Sequence, residues 1–573
     1  MYAFFRALAP FLLLSIPVLC QTPTTQAPSI LFKDISAQTG LTVVPYSSMK
    51  QRYVIETTSG GVGLFDCDND GKLDIVVVND STIDHVRQGG GDPMVTLYHQ
   101  DANLKFTDIT KQAGLTRRGW GMGVAIGDYD NDGLPDLYVT GYGGNALYHN
   151  LGNCKFEDVT DRAGVAGGGS STGAAWADYD RDGHLDLFVS RYAHTDLNHL
   201  PTAENNTQNF LHKGIRVESP LLMRGEGSFL FHNRGDGTFE EVAHKAGVND
   251  SKGADGLGVV WGDYDNDGWP DLYVANDAAL NYLYHNKHDG TFEEIALPAG
   301  VAAGPDGEQL GSMGVDFGDF DRDGKLDIVV TNYTNQPKDL YWNQGALGFT
   351  DIVWESQIGQ PAFPYVGWGT GFVDFDNDGL PDILMANGHI YPEVDTVPSE
   401  VRYREPILLF HNRGNRTFEN ISATAGLNDG QLQSRRGVAF GDLNNDGNID
   451  FVAFNVGAPP SVFLNVTRNA NHRVLFKLEG TKSNRAAIGA RVTVSSATRS
   501  QIEEVRAGSS YLSSNDQRLH FGLASDSVMD KVEIRWPNGN TEVLHNVAAD
   551  AIYTIVEGQG IKSTITLSSP GKP

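Results

Sequence analysis

The nine residues DYDNDGLPD, from Asp128 to Asp136, recur seven times along the chain with small changes. The copies begin at Asp66, Asp128, Asp178, Asp263, Asp319, Asp374 and Asp442, at intervals of 50 to 85 residues. Such a repeat constrains the fold strongly, because each unit must bury its apolar residues against its neighbours. Three companions travel with every copy. A glycine lies five residues upstream, at Gly61, Gly123, Gly173, Gly258, Gly314, Gly369 and Gly437. After the copy come an apolar run such as LDIVVVN, a second run of the LYHN type, and a run led by Phe, as in FEDVTDRAGV from Phe156. Apolar runs separated by turns read as strands. Four-stranded units in a ring are propeller blades. The expected fold is therefore all-β: a seven-bladed β-propeller followed by a small β-sandwich.

The Phe-led runs also number seven, but the first, from Phe32, precedes the first Asp-rich loop and none follows Val462. The Phe32 segment is expected to complete the last blade and close the ring, which removes exposed sheet edges. The upstream glycines are read as inner-strand positions, where crowding at the axis leaves no room for a side chain. No helix follows them, so they are not phosphate loops. GSSTG, from Gly169 to Gly173, matches a nucleophile pattern in letters only, because it leads into a strand.

The loop chemistry is that of a hard cation. Calcium takes six to eight oxygens, and a loop with acids at positions 1, 3 and 5, Gly at 6 and an acid at 9 gathers them between two strands. The expected ligands are Asp66, Asp68, Asp70 and Asp74, then Asp128, Asp130, Asp132 and Asp136, then Asp178, Asp180, Asp182 and Asp186. They continue with Asp263, Asp265, Asp267 and Asp271, with Asp319, Asp321, Asp323 and Asp327, and with Asp374, Asp376, Asp378 and Asp382. The last set is Asp442, Asn444, Asp446 and Asp450, where the amide at Asn444 should make the weakest site. Up to seven Ca²⁺ are expected. They would offset about half of the formal net charge of −29, so binding should contribute folding energy. The same acidity argues against nucleic acid or an anionic membrane as partner.

These loops resemble the FG-GAP/VCBS repeats, similar to the calcium-bearing blades of integrin α subunits. All seven match at positions 1, 3, 5, 6 and 9 except at Asn444. Further on, AIGARVTV, EEVRAGSSYLSSNDQRLHFGLA and VEIRWPNG resemble the ASPIC/UnbV domain that follows such propellers in the cartilage acidic protein 1 family. The resemblance implies a secreted, calcium-binding, adhesion-like or matrix-associated protein. The expected division is a signal peptide over 1–20, a linker over 21–29, the propeller over 30–465, the ASPIC/UnbV-like sandwich over 466–560 and a tail over 561–573. The apolar N-terminal run is too short to span a bilayer, and its flanks read as a secretory leader, so the mature chain is expected outside the cytoplasm: secreted, periplasmic or at the cell surface. With the leader removed only Cys67 and Cys154 remain, and Cys67 is read as a small buried hydrophobe.

Strand parity places the long insertions, 79–94, 191–228 and 387–407, on the face opposite the loops. Binding surfaces favour such loops. The second insertion holds Arg191, Tyr192, His194, His199, His212 and Arg224; the third holds His389, Tyr391, Glu393 and Asp395. The repeated His149, His232 and His285 are read as packing or turn-bonding residues. No catalytic residue is assigned. Three functions compete: a secreted scaffold meeting an extracellular protein or glycan, an extracellular polysaccharide enzyme with its site at the axis, and a structural envelope component without a discrete ligand. Convergence of His389, Glu393 and the 191–228 segment on one axial pocket would favour the enzyme.

Overall fold

The computed structural model describes residues 30–46, 53–194, 196, 209–212, 215–218, 224–250, 252–396, 398, 401–430, 432–497 and 499–567. The expected signal peptide and linker, His199 and the side chain of His212 lie outside that description.

Seven antiparallel sheets, each containing one Asp-rich loop, surround an axis. Their inner strands are Val62–Phe65, Arg118–Gly127, Ser171–Ala177, Asp255–Gly262, Val315–Gly318, Gly367–Val373 and Arg435–Gly441. Each touches the next, and the last touches the first. Closure follows the expected route: Phe32–Asp34 pairs antiparallel with Ser461–Asn465, Phe32 opposite Asn465. The second strands read as unbroken apolar runs because both faces pack on neighbouring sheets; all five residues of Asp74–Val78 are buried. The Phe-led runs differ from expectation. Only their first three residues are strand, as in Phe156–Asp158, and a one-turn helix follows at Thr160–Ala163. Its end is set by Gly164, whose φ of 79° is left-handed and stops the helix.

Beyond the propeller, two four-stranded sheets form the sandwich. One runs Leu519–Ala524, His472–Glu479, Ala551–Val556, Gly560–Thr566; the other Ser500–Glu504, Arg491–Ser495, Val528–Arg535, Thr541–Ala548. The strand Gly560–Thr566 carries the sheet into the segment expected to be a tail.

The sandwich sits on the loop face and sends residues 506–515 into the propeller axis. There the Val124 N–H donates to Leu512 O (3.0 Å), Leu64 N–H to Ser514 O (3.0 Å) and Trp176 N–H to Ala507 O (2.9 Å). Ser510 and Val315 exchange backbone hydrogen bonds of 2.8 and 2.9 Å. The axial glycines therefore serve two purposes. A Cβ at Gly61 or Gly123 would strike Leu512, and one at Gly437 would strike Ser513, so these make room for the plug. At Gly173, Gly258 and Gly314 the obstacle is the backbone of the adjacent inner strand. Val54, Tyr192, Leu257, Met313, Trp368 and Tyr511 pack together along the rest of the axis.

Cys67 and Cys154 form a disulfide with Cα atoms 5.0 Å apart. Both are buried, as expected for small hydrophobes, but neither is a free thiol. A sequence separation of 87 hides their proximity, which arises only when adjacent sheets stack in register.

Candidate metal centres

Each loop is shaped by its own carboxylates. In the second, Asp128 accepts the N–H groups of Asp132 (3.1 Å) and Gly133 (2.8 Å), and Asp132 accepts that of Leu134 (2.8 Å). Gly133 has a φ of 90°, which L side chains avoid. The position-1 carboxylate accepts the Gly N–H in all seven loops, at 2.8 to 3.1 Å. Asp136 closes the hairpin by accepting Tyr129 N–H (3.1 Å) and Asn150 N–H (2.8 Å).

Oxygens remain that the protein does not satisfy. Oδ1 of Asp178, Asp263, Asp321 and Asp376 and Oδ2 of Asp271 are buried without a hydrogen-bond partner. Such groups are costly unless paired. Burial pushes Asp128 up to about 7, with Asp136 adding to it, and Asp178 up to about 8, with Asp186 adding to it. Burial likewise raises Asp271 to about 8 and Asp442 to about 7. A set dominated by carboxylate oxygens, several of them orphaned, fits a hard divalent cation. Bound there, it would supply the positive charge that lets crowded carboxylates ionise. Asp74, Asp136, Asp186, Asp271, Asp327, Asp382 and Asp450 lie at the strand end of their loops, as the sequence places them.

Histidine belongs to these clusters more closely than expected. His99, His149, His232, His285 and His411 bring Nδ1 within 2.9 to 3.3 Å of the position-9 carboxylate. His149 also lies 3.2 Å from Asp130. The hydrogen bond to Asp136 holds His149 up to about 9. Asp130, Asp136 and His149 form one of several groups with the spacing of metal ligands. Trp342 and Leu464 occupy the equivalent strand position in the fifth and seventh sheets. In the fifth, Arg416 lies over Trp342 at 4.1 Å and 3.5 Å from Asp321. In the seventh, Asn444 donates to Asp446 at 3.0 Å.

Two further residue sets escaped the sequence reading. The residue after each histidine position links sheets: Asn150, Asn233, Asn286, Asn343, Asn412 and Asn465 donate Nδ2 to position 2 of the preceding loop at 2.8 to 3.0 Å. Gln100 does so for Leu443 at 3.1 Å, completing the ring. The second set is position 4, the loop apex. Asn69, Asn131, Asn266 and Asn445 donate to the Gly carbonyl of the next loop at 2.8 to 3.2 Å. Their recurrence in the LYHN and DNDG stretches was the available signal.

The residues flagged on the opposite face do not converge. Arg191, His194 and Glu226 line a cavity of about 690 Å³ with Tyr142 and Phe229. There Glu226 accepts from Arg191 (2.8 Å) and Ser170 N–H (2.7 Å) and pairs with His194 (2.6 Å). The Arg224 carbonyl accepts His194 N–H at 3.0 Å. His389 is buried elsewhere; its Nδ1 accepts Tyr391 N–H at 3.1 Å. Glu393 and Asp395 lie in the turn Pro392–Thr396, where Asp395 accepts Tyr403 N–H at 3.0 Å. Tyr192 donates to Asp277 at 2.5 Å beside the filled axis.

Comparison with known proteins agrees with this architecture. Residues 66–139, 128–189, 221–274, 263–330 and 319–385 match the FG-GAP-like repeat, together about half of the chain. The chain belongs to the FG-GAP-like repeat family. Residues 480–562 match the ASPIC and UnbV domain. Cartilage acidic protein 1 of Homo sapiens is 30% identical over 381 residues, covering 63% of this chain and 52% of that protein. The Mus musculus protein of that name is 29% identical over 368 residues, covering 61% and 51%. The chain thus spans about half the length of the curated relatives it matches. A solved Agrocybe aegerita lectin that recognises non-reducing terminal N-acetylglucosamine aligns with a TM-score of 0.38 and 16% identity, covering 70% of this chain and 87% of that one. At that score the likeness carries no inference. Among the described residues no helix is long and apolar enough to cross a membrane.

Proposed function

We propose that the protein is an extracellular, calcium-stabilised scaffold of the adhesion type that meets a protein or glycan on the face opposite its Asp-rich loops. The observation that carries the calcium reading is the set of buried loop carboxylate oxygens without partners. The ligands are those expected from sequence, from Asp66, Asp68, Asp70 and Asp74 through Asp442, Asn444, Asp446 and Asp450. The relatives' name, cartilage acidic protein 1, and the Cys67–Cys154 disulfide support an oxidising, extracellular setting.

The placement of the sandwich supports the choice of face. It covers the loop side, and its plug together with Tyr192, Met313 and Trp368 fills the axis, which disfavours an axial enzyme. The Arg191–Glu226–His194 cavity is the strongest ligand candidate, because glycine backbone, two aromatic rings, an Arg–Glu ion pair and an imidazole share one concavity. A defined oligosaccharide array, probed in calcium with wild type and Glu226→Gln, tests it. Retention of one glycan class by wild type and its loss in the variant is expected; equal retention by both would exclude this cavity as the site.

A further inference from the structure

The apices of five of the seven loops are read by the sandwich. Lys477 donates to Asn69 (3.4 Å), the Arg485 N–H to Asn131 (2.6 Å), Arg491 to Asn266 and Arg518 to Asn445 (2.6 Å). His520 Nε2 lies 2.8 Å from Asn377 Oδ1. These residues stand at position 4, between the acids, and none is an expected cation ligand. Arginines then reach loop main-chain carbonyls: Arg499 to Asp378 O (2.8 Å), Arg518 to Asp442 O (2.9 Å), Arg491 to Asp263 O (2.5 Å).

We propose that the loop face is a docking surface whose partner is the chain's own C-terminal domain, and that docking is conditional on cations in the loops. This rests on the calcium reading. Two effects oppose each other. Bare loops would be more acidic and would attract the arginines more strongly. But most contacts go to amide and main-chain oxygens, whose positions depend on the loop backbone; Arg535 on Asp263 is a direct carboxylate pair. Those backbones are held by the same carboxylates that need a cation. Geometry therefore outweighs net charge, and chelation should loosen the domain and draw its plug, Tyr511 and Leu512, from the axis.

The test uses the full chain with a protease recognition sequence inserted after Arg468, cleaved in calcium. The two fragments are expected to co-elute on size exclusion in calcium and to separate in EGTA, with bound metal measured by mass spectrometry on the same samples. Metal lost while the fragments stay together overturns conditional docking and leaves the calcium reading intact. No metal in the calcium-equilibrated protein overturns the calcium reading and the conditionality with it. Asn445→Ala and Lys477→Ala test the apex contacts from the two sides; each should speed fragment release, about tenfold for the loss of a charge-assisted hydrogen bond. Unchanged release in both overturns recognition at position 4.

Discussion

Single residues carry the links that the repeat pattern only outlines. Asn286 shows the cost of one: its Nδ2 donates to Tyr179 O at 2.9 Å and Pro270 O at 3.1 Å, and its Oδ1 accepts His288 N–H at 2.9 Å. Asn286→Ala orphans buried groups and should destabilise by about 2–3 kcal/mol in urea denaturation. A loss within experimental error would mean water replaces the side chain. Asp255 gives a pH prediction. Burial, with Asp277 and Asp250 nearby, raises it to about 8. A carboxyl with a raised folded pKa contributes stability that is complete below its unfolded value, about 4. That stability is lost as pH rises through 8. Between pH 5 and 8 wild type should lose about 3–4 kcal/mol more stability than Asp255→Asn. Parallel profiles would show the carboxyl ionised when folded. At this scale the acids were legible from sequence because four types of position repeat. The apex asparagines and His149 were visible too, but their partners come from other sheets or the sandwich, which spacing cannot supply.

At the scale of elements, strand count, loop placement and ring closure by Phe32–Asp34 could be read from the chain, since each follows from local pattern and parity. The one-turn helices ending at glycines such as Gly164 were missed, because four residues give no periodicity to detect. The disulfide and the plug were missed for a different reason: both join segments remote in sequence. Cys154→Ala should lower stability in oxidising buffer by about 2–4 kcal/mol, and the difference from wild type should vanish with reductant. A difference that persists in reductant would assign the effect to packing. Gly123→Ala drives a Cβ into both Thr172 O of the adjacent inner strand and Leu512 of the plug. It should cost about 1–3 kcal/mol by overpacking, measured by thermal unfolding; full stability would show that both yield.

For the whole molecule, the loops, the ring and the sandwich form one connected arrangement. Loop apices join neighbouring loops through Asn69 and Asn445, and receive the sandwich through Lys477 and Arg518. Sequence resemblance indicated both parts of the chain but not that the second caps and plugs the first. Its consequence for the proposed function is directional, since the sandwich covers the loop face and leaves the side of Arg191 and Glu226 open. On the proposed reading, cations balance the acidic loops of a chain with a net charge of −29. The most direct test is thermal unfolding of the full chain in calcium and after exhaustive chelation, with bound metal counted in both. Several calcium ions per chain are expected, with a midpoint that falls by about 10 °C or more when they are removed. An unchanged midpoint after verified metal removal would contradict the calcium reading.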